Sequence, residues 1–367
     1  MANNSVDRKN RRYLLALIIL VIALIAISFF IIGYQITGRA VDHEDDKLRV
    51  GAILTLSGQD AYFGDIIKKS LVLANNNELE LIIEDFSGIS SNAPSAVNKL
   101  VNLDKIDILL TEFSEDTMAS IEIINQNKIP TICISCGSAG ITKESNYLFR
   151  TWPSDEIEVK ALVNYAEDKG YEKVAILQTI SVWEESLVKS FKDNFPGEVI
   201  VLKANREDSD FKTQLIKIKK FKPDFIYLAC YEQKYPLIFK QLKELGIDSY
   251  AEIATTTWIN DPNILKTCGK NCENVIVPQY AKPSQDFVNL YKQEYGEEPG
   301  VGADVAYDAI QIIKILKSRN NKDIVRELLD IEYTGASGFI EFDSTGDRKN
   351  RDVELFRIRD RELRRFG

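Results

Sequence analysis

Residues 49–65 read RVGAILTLSGQDAYFGD. The first eight are mostly apolar, a length that suits a strand buried on both faces better than a core helix. Ser57-Gly58-Gln59 supplies turn chemistry, and a helix is expected from about Tyr62. Working outward, the same unit recurs. Strands are expected at 79–85, 106–111 and 129–134, with helices near 91–103 and 116–127. Beyond Pro153 come helix 155–169, strand 173–177, helix 183–194 and strand 199–202, then helix 210–220, strand 224–229, helix 234–245 and strand 250–254. Helix 301–317 shows a 3.6-residue apolar stripe through Val305, Ala306, Ala309, Ile310, Ile313 and Leu316. Two short strands, 338–342 and 353–358, follow. Alternation of this kind predicts an α/β fold of two Rossmann-like lobes in tandem, each a parallel sheet covered by helices.

Composition removes several functions. The single histidine, His43, precludes a His-rich metal site and a Ser-His-Asp triad in the folded part. Residues 1–40 hold five basic residues and one acid, a net +4, so the overall −9 leaves −13 on the remainder. That balance is wrong for binding a phosphate backbone. Residues 13–34 form an unbroken apolar run, YLLALIILVIALIAISFFIIGY, which as a helix would span roughly 33 Å. Arg8, Lys9, Arg11 and Arg12 precede it and Asp42, Glu44, Asp45 and Asp46 follow. The expectation is a single-pass anchor at 13–34, with a basic tail at 1–12 in the cytoplasm, a linker at 35–47 and everything beyond outside. A cleaved signal peptide is the alternative, with Gly38-Arg39-Ala40 as a passable cleavage site.

The strand ends carry hydroxyl residues: Ser57, Ser114 with Thr117, and Ser135. Such residues cap helices routinely, but three at corresponding tips also make a rim for an anionic group. In the second half the tips carry Trp183, Tyr231 and Trp258, either as ordinary packing or as an aromatic wall. Scans for nucleophile elbows, phosphate loops, dinucleotide fingerprints and zinc-protease motifs find nothing. The adjacent carboxylates Glu115-Asp116 and Glu184-Glu185 fall at helix starts, where they are expected to face solvent. Cys133 with Cys136, and Cys268 with Cys272, could close small loops or remain thiols, with Cys230 odd. A shared zinc site is the weaker alternative.

Residues 49–65 resemble the opening of the type I periplasmic solute-binding proteins of the leucine/isoleucine/valine-binding group. The likeness continues through Ser114-x-x-Thr117, Ile129-Pro130-Thr131-Ile132, Phe149-Arg150-Thr151 and Pro153-Ser154-Asp155. It resumes at 173–177, 224–231, Ala306-Tyr307-Asp308-Ala309, Gly335-x-x-Gly338, Phe342-Asp343 and Gly346-Asp347-Arg348, so that it covers nearly all of 48–360. The resemblance implies two lobes joined by three crossovers and closing like a hinged clamp. Lobe 1 would be 48–152 plus 281–334, and lobe 2 would be 153–280 plus 335–362. The group's carboxylate-binding serine falls on Ser114. The strand-tip positions for the ligand's carboxylate and ammonium fall on Ser135 and Gly137. The latter is normally threonine, so Ser138 would have to supply that hydroxyl. The first-loop aromatic falls on Phe63, and the lobe 2 aromatics on Trp183 and Tyr231. Thr257 stands where amino-acid binders place the acid that pairs with the ammonium. Either Glu232 substitutes, or the ligand is not an ordinary α-amino acid; the family also includes binders of amides, urea and aromatic acids.

The function expected is therefore capture of a small amino-acid-like, amide or organic-acid ligand by a membrane-tethered extracytoplasmic protein. It would hand that solute to an ABC-type permease, without catalysis, cofactor or nucleic acid. A ligand-sensing ectodomain that reports to a signalling partner is the alternative, although residues 1–12 leave no room for an output domain. An extracellular enzyme on a Rossmann-like scaffold is the third, weakened by the empty catalytic scan.

Overall fold

The computed structural model describes residues 47–366, apart from Asn320, Lys322, Asn350 and Arg351. The expected anchor, tail and most of the linker lie outside the described residues. Among those described, no helix is long and apolar enough to cross a membrane.

The chain runs β1 (Arg49–Leu54), α1 (Ala61–Asn75), β2 (Glu80–Asp85), α2 (Ala93–Asn102), β3 (Ile108–Thr111), α3 (Ser114–Ala119), α4 (Ile121–Asn127), β4 (Thr131–Cys133) and β5 (Leu148–Arg150). These five strands form one parallel sheet in the order β2-β1-β3-β4-β5. Next come α5 (Glu156–Asp168), β6 (Lys173–Thr179), α6 (Val182–Asn194), β7 (Glu198–Ala204), α7 (Lys212–Phe221), β8 (Phe225–Ala229), α8 (Tyr235–Glu244), β9 (Glu252–Thr255), α9 (Pro262–Cys268) and β10 (Ile276–Tyr280). The chain ends with α10 (Gln285–Tyr295), α11 (Ala303–Arg319), α12 (Ile324–Leu329), β11 (Glu332–Gly335), β12 (Gly338–Glu341), β13 (Val353–Arg359) and β14 (Glu362–Arg365). The second sheet is ordered β14-β13-β10-β9-β8-β6-β7. Its last five strands are parallel, while β13 and β14 add an antiparallel edge. A separate hairpin pairs β11 with β12.

Both parallel portions follow the same winding. In each, the first strand lies between its second and third, so the connecting helices leave in opposite directions at β1/β3 and at β6/β8. That switch leaves a crevice beyond the carboxyl ends of the strands, where ligands settle in open α/β sheets. Burial follows the strand signal: Val50, Ala52, Ile53 and Leu54 of β1, and all of β8, are buried. α11 lies along α1, presenting the stripe Val305, Ala306, Ala309, Ile310 and Ile313 to the core. Gly64 permits the close approach of α1 to the first sheet, since a Cβ there would sit 1.9 Å from the Thr55 carbonyl oxygen.

A buried arginine organises the loop after β4. Arg150 is wholly buried, and its guanidinium meets Asp347 through two bonds of 2.6 Å, Nε to Oδ1 and Nη2 to Oδ2. Its Nη1 donates to the carbonyls of Cys136 (3.0 Å) and Ser138 (2.8 Å). A planar fork bound at both ends holds this loop in one shape. The Cys133–Cys136 disulfide closes the same loop, so the first cysteine pair is bonded; Cys230, Cys268 and Cys272 are buried thiols. Among the described residues no cysteine or carboxylate cluster could hold a metal ion.

Candidate ligand cleft

One cleft is lined from both switch points. The first sheet contributes Thr55, Asp60, Phe63, Phe86, Gly88, Ser90, the run from Phe113 to Asp116, and Ser135. The second contributes Trp183, Arg206, Tyr231, Glu232 and Trp258. The rings meet across it. Trp258 packs edge-on against Phe63 (centroids 5.7 Å apart), Phe113 (6.0 Å) and Trp183 (6.4 Å), and stacks on Trp152 at 5.4 Å. Polar contacts also span it. Glu115 Oε1 accepts the Ser181 hydroxyl at 2.7 Å and the Trp183 backbone N–H at 3.1 Å, and the Tyr231 hydroxyl donates to Asp60.

Behind the aromatic wall, Asp155 is a buried hub. It accepts the indole N–H groups of Trp152 and Trp183, both at 2.7 Å, and the Tyr280 hydroxyl at 2.8 Å. Burial raises its carboxyl above the usual range, against which these three donors and Arg150 pull. Gly137 is where this hub meets the β4 loop. A Cβ there would lie 1.8 Å from Asp155 Oδ2 and 2.8 Å from the Trp183 indole nitrogen. No other residue fits that position without displacing the hub.

On the opposite wall, Ser114 is not the cap of its helix. Asp116 takes that role, its carboxylate accepting the backbone N–H of Glu112 (3.0 Å) and of Phe113 (2.7 Å). The Ser114 hydroxyl instead accepts the Ser138 N–H at 3.2 Å, which leaves its own proton to donate. The Ser135 hydroxyl is buried and has no partner among the described residues.

The cleft is acidic. Burial, with Asp116 nearby, pushes Glu112 up to about 8; burial, with Glu115 nearby, does the same to Asp116. Burial raises Glu232 to about 8 and Glu184 to about 7, although Arg206 opposes both shifts. Arg206 lies over the Tyr231 ring at 4.5 Å and pairs with Glu184 at 3.9 Å.

Of the eight residues singled out in the sequence, Phe63, Ser114, Ser135, Trp183 and Tyr231 line the cleft. Gly137 and Ser138 lie behind it, on the Asp155 and Arg150 contacts. Thr257 is turned elsewhere: its hydroxyl accepts Gln279 Nε2 at 2.9 Å and its N–H donates to Glu158 at 3.3 Å. Of the four carboxylates expected in solvent, only one is there. Glu185 is exposed, but Asp116 and Glu184 are buried and Glu115 bridges the cleft. Asp60, Phe86, Phe113 and Arg206 were not anticipated as lining residues; Arg206 sits in a polar stretch, NREDSD, with no periodic signal.

Two doubly wound sheets whose switch points share one aromatic, hydroxyl-bearing cleft define an α/β binding fold. Residues 47–362 match the periplasmic binding protein family, and the chain belongs to it. The resemblance to the leucine/isoleucine/valine-binding group is borne out. The chain is 22% identical over 337 residues to a leucine-, isoleucine-, valine-, threonine- and alanine-binding protein of Pseudomonas aeruginosa, covering 85% of this chain and 90% of that one. Solved structures share the fold. One is the branched-chain amino acid transporter substrate-binding protein of Streptococcus pneumoniae, in complex with isoleucine, with a TM-score of 0.77, 22% identity, and coverage of 86% of this chain and 97% of that one. Another is an ABC-transporter solute-binding protein of Rhodopseudomonas palustris in complex with 3,4-dihydroxybenzoic acid, with a TM-score of 0.77, 24% identity, and coverage of 87% and 95%. At the level of the family, the chain is a solute-binding protein rather than an enzyme, with its folded part outside the cytoplasm.

Proposed function

We propose that the protein captures a small amino-acid-like, amide or organic-acid solute between two lobes and delivers it to an ABC-type permease. Lobe 1 is 48–152 with 281–334, lobe 2 is 153–280 with 335–362, and the three connections between them act as the hinge. Residues 13–34 tether the protein to the membrane with the tail at 1–12 inside. The observation that carries the reading is the cleft itself: buried hydroxyls on one wall and aromatic rings from both. Ser114 and Ser135 hold the ligand's carboxylate or amide oxygen, and Phe63, Trp183, Tyr231 and Trp258 enclose its body. A thermal-shift screen of the full chain in mild detergent, against amino acids, amides and aromatic acids, tests it. A solute that raises the melting temperature with saturable, micromolar calorimetric binding supports capture. A full panel without a hit argues against it. Membrane fractionation addresses the tether, and recovery of a soluble mature chain starting at Val41 would overturn that part.

A further inference from the structure

We infer that Glu232 accepts an ammonium group of the ligand, so that this cleft carries its acid at the tip of β8 rather than at the tip of β9. The inference rests on the solute-binding reading above and specifies one end of the ligand. Thr257, beyond β9, is an uncharged residue engaged by Gln279 and Glu158 and does not line the cleft. The four carboxyl groups that do line it differ in what they already hold. Asp60 accepts the Tyr231 hydroxyl, Glu115 accepts Ser181 and the Trp183 N–H, and Asp116 caps its own helix.

Glu232 differs from them. It is only 7% exposed and lines the cleft, and among the described residues the one donor to its carboxyl is its own backbone N–H. A buried carboxyl with spare acceptor positions facing a cavity is completed by a donor that arrives there. Next to it stand Tyr231 and, on the same wall, Trp183 and Trp258, whose ring faces attract a cation. Arg206 does not take the place: it lies over Tyr231 and its ion pair is with Glu184.

Binding is then coupled to a proton. The charged groups that face Glu232 are Arg206, which favours its ionised form, and Asp60 and Glu184, which oppose it; Tyr231 and Tyr235 are its neutral neighbours. With burial added, the empty site holds Glu232 protonated up to about pH 8. An ammonium ion entering at pH 7 leaves an ion pair behind and sends that proton to solvent. Affinity for an amine should therefore weaken roughly tenfold for each pH unit below 8.

The test is calorimetry on the full chain with matched pairs that differ only in the amine: L-leucine against 4-methylpentanoate, L-phenylalanine against 3-phenylpropanoate, and the rest of the amino acids likewise. The expected result is at least tenfold tighter binding of the amine member of a pair. Its affinity should fall at least tenfold in Glu232→Gln, while the deamino member is unmoved. Wild type should release about one proton on binding at pH 7, measured in buffers of different ionisation enthalpy. If Glu232→Gln fails to fold, Glu232→Asp takes its place: its shorter carboxylate should cost the amine member at least tenfold in affinity while the deamino member is unmoved, and full affinity for the amine overturns the inference. A deamino member that binds as tightly as its amine, or a folded Glu232→Gln that keeps full affinity for the amine, overturns the inference and leaves solute capture standing. Binding by neither member of any pair overturns both.

Discussion

Glu115 and Ser181 are 66 residues apart, yet the serine hydroxyl donates to the carboxylate at 2.7 Å and joins the tip of β3 to the tip of β6. The same oxygen takes the Trp183 N–H, so two hydrogen bonds from one carboxylate hold the sheets together across the cleft. Glu115 is half-buried, which limits the pair to about 1–2 kcal/mol of closure. Glu115→Ala should therefore weaken solute binding about 5- to 30-fold and enlarge the small-angle scattering radius. An unchanged radius in the variant would sink the latch.

All three tryptophans of the chain, Trp152, Trp183 and Trp258, belong to the cluster around the cleft. Intrinsic emission is consequently a report on the site alone. A bound solute should shift it, and Trp258→Phe should remove most of the change because that ring meets partners from both walls. Asp155→Asn should act through stability instead. It leaves one carbonyl oxygen for three buried donors, at a cost of about 2–4 kcal/mol in denaturant melts. A loss below 1 kcal/mol would contradict its role as the hub.

The pH dependence of stability has a definite sign. Glu112, Asp116 and Glu232 bind a proton in the folded state up to about pH 8, and Glu184 up to about 7, well above their values in an unfolded chain. The folded state then holds more protons than the unfolded one between roughly pH 4.5 and 8. Stability is greatest at the acid end of that window and falls as pH rises through it. One such group alone contributes about 1.4 kcal/mol per pH unit, so the melting temperature should drop by several degrees between pH 5.5 and 8. A melting temperature that climbs over this interval would refute the assignment of these carboxyls as buried acids.

How much of this was legible depends on which signal each residue carries. β1, β8 and α11 were readable because a doubly buried strand and a one-sided helix write their burial into consecutive or 3.6-spaced residues. β10 was not legible: Ile276–Tyr280 contains Pro278, which argues against a central strand even though the helix Gln285–Tyr295 follows it. Glu115 and Asp116 misled for a different reason. A carboxylate at a helix start obeys the same local preference whether it faces water or another sheet, and only the partner it meets, Ser181 or the Glu112 N–H, decides. Arg206 shows the limit most plainly. Its loop is polar throughout, and its position over Tyr231 exists only once β7 and β8 are on their own sides of β6.

Ser114 offers the sharpest test of the first wall. Capping no longer competes as an explanation, because Asp116 supplies the cap and Ser114 only receives the Ser138 N–H. Ser114→Ala should cost about 1 kcal/mol of stability for that one lost acceptor. For a ligand carrying a carboxylate it should also remove a charge-assisted hydrogen bond, about 1.5–3 kcal/mol, or roughly 10- to 150-fold in affinity. Ser135→Ala separates binding from folding more cleanly, since its hydroxyl has no partner among the described residues to lose. It should weaken binding without lowering the melting temperature. Paired calorimetry and melts distinguish the outcomes, and intact affinity in both variants would remove the hydroxyl wall from the ligand's contacts.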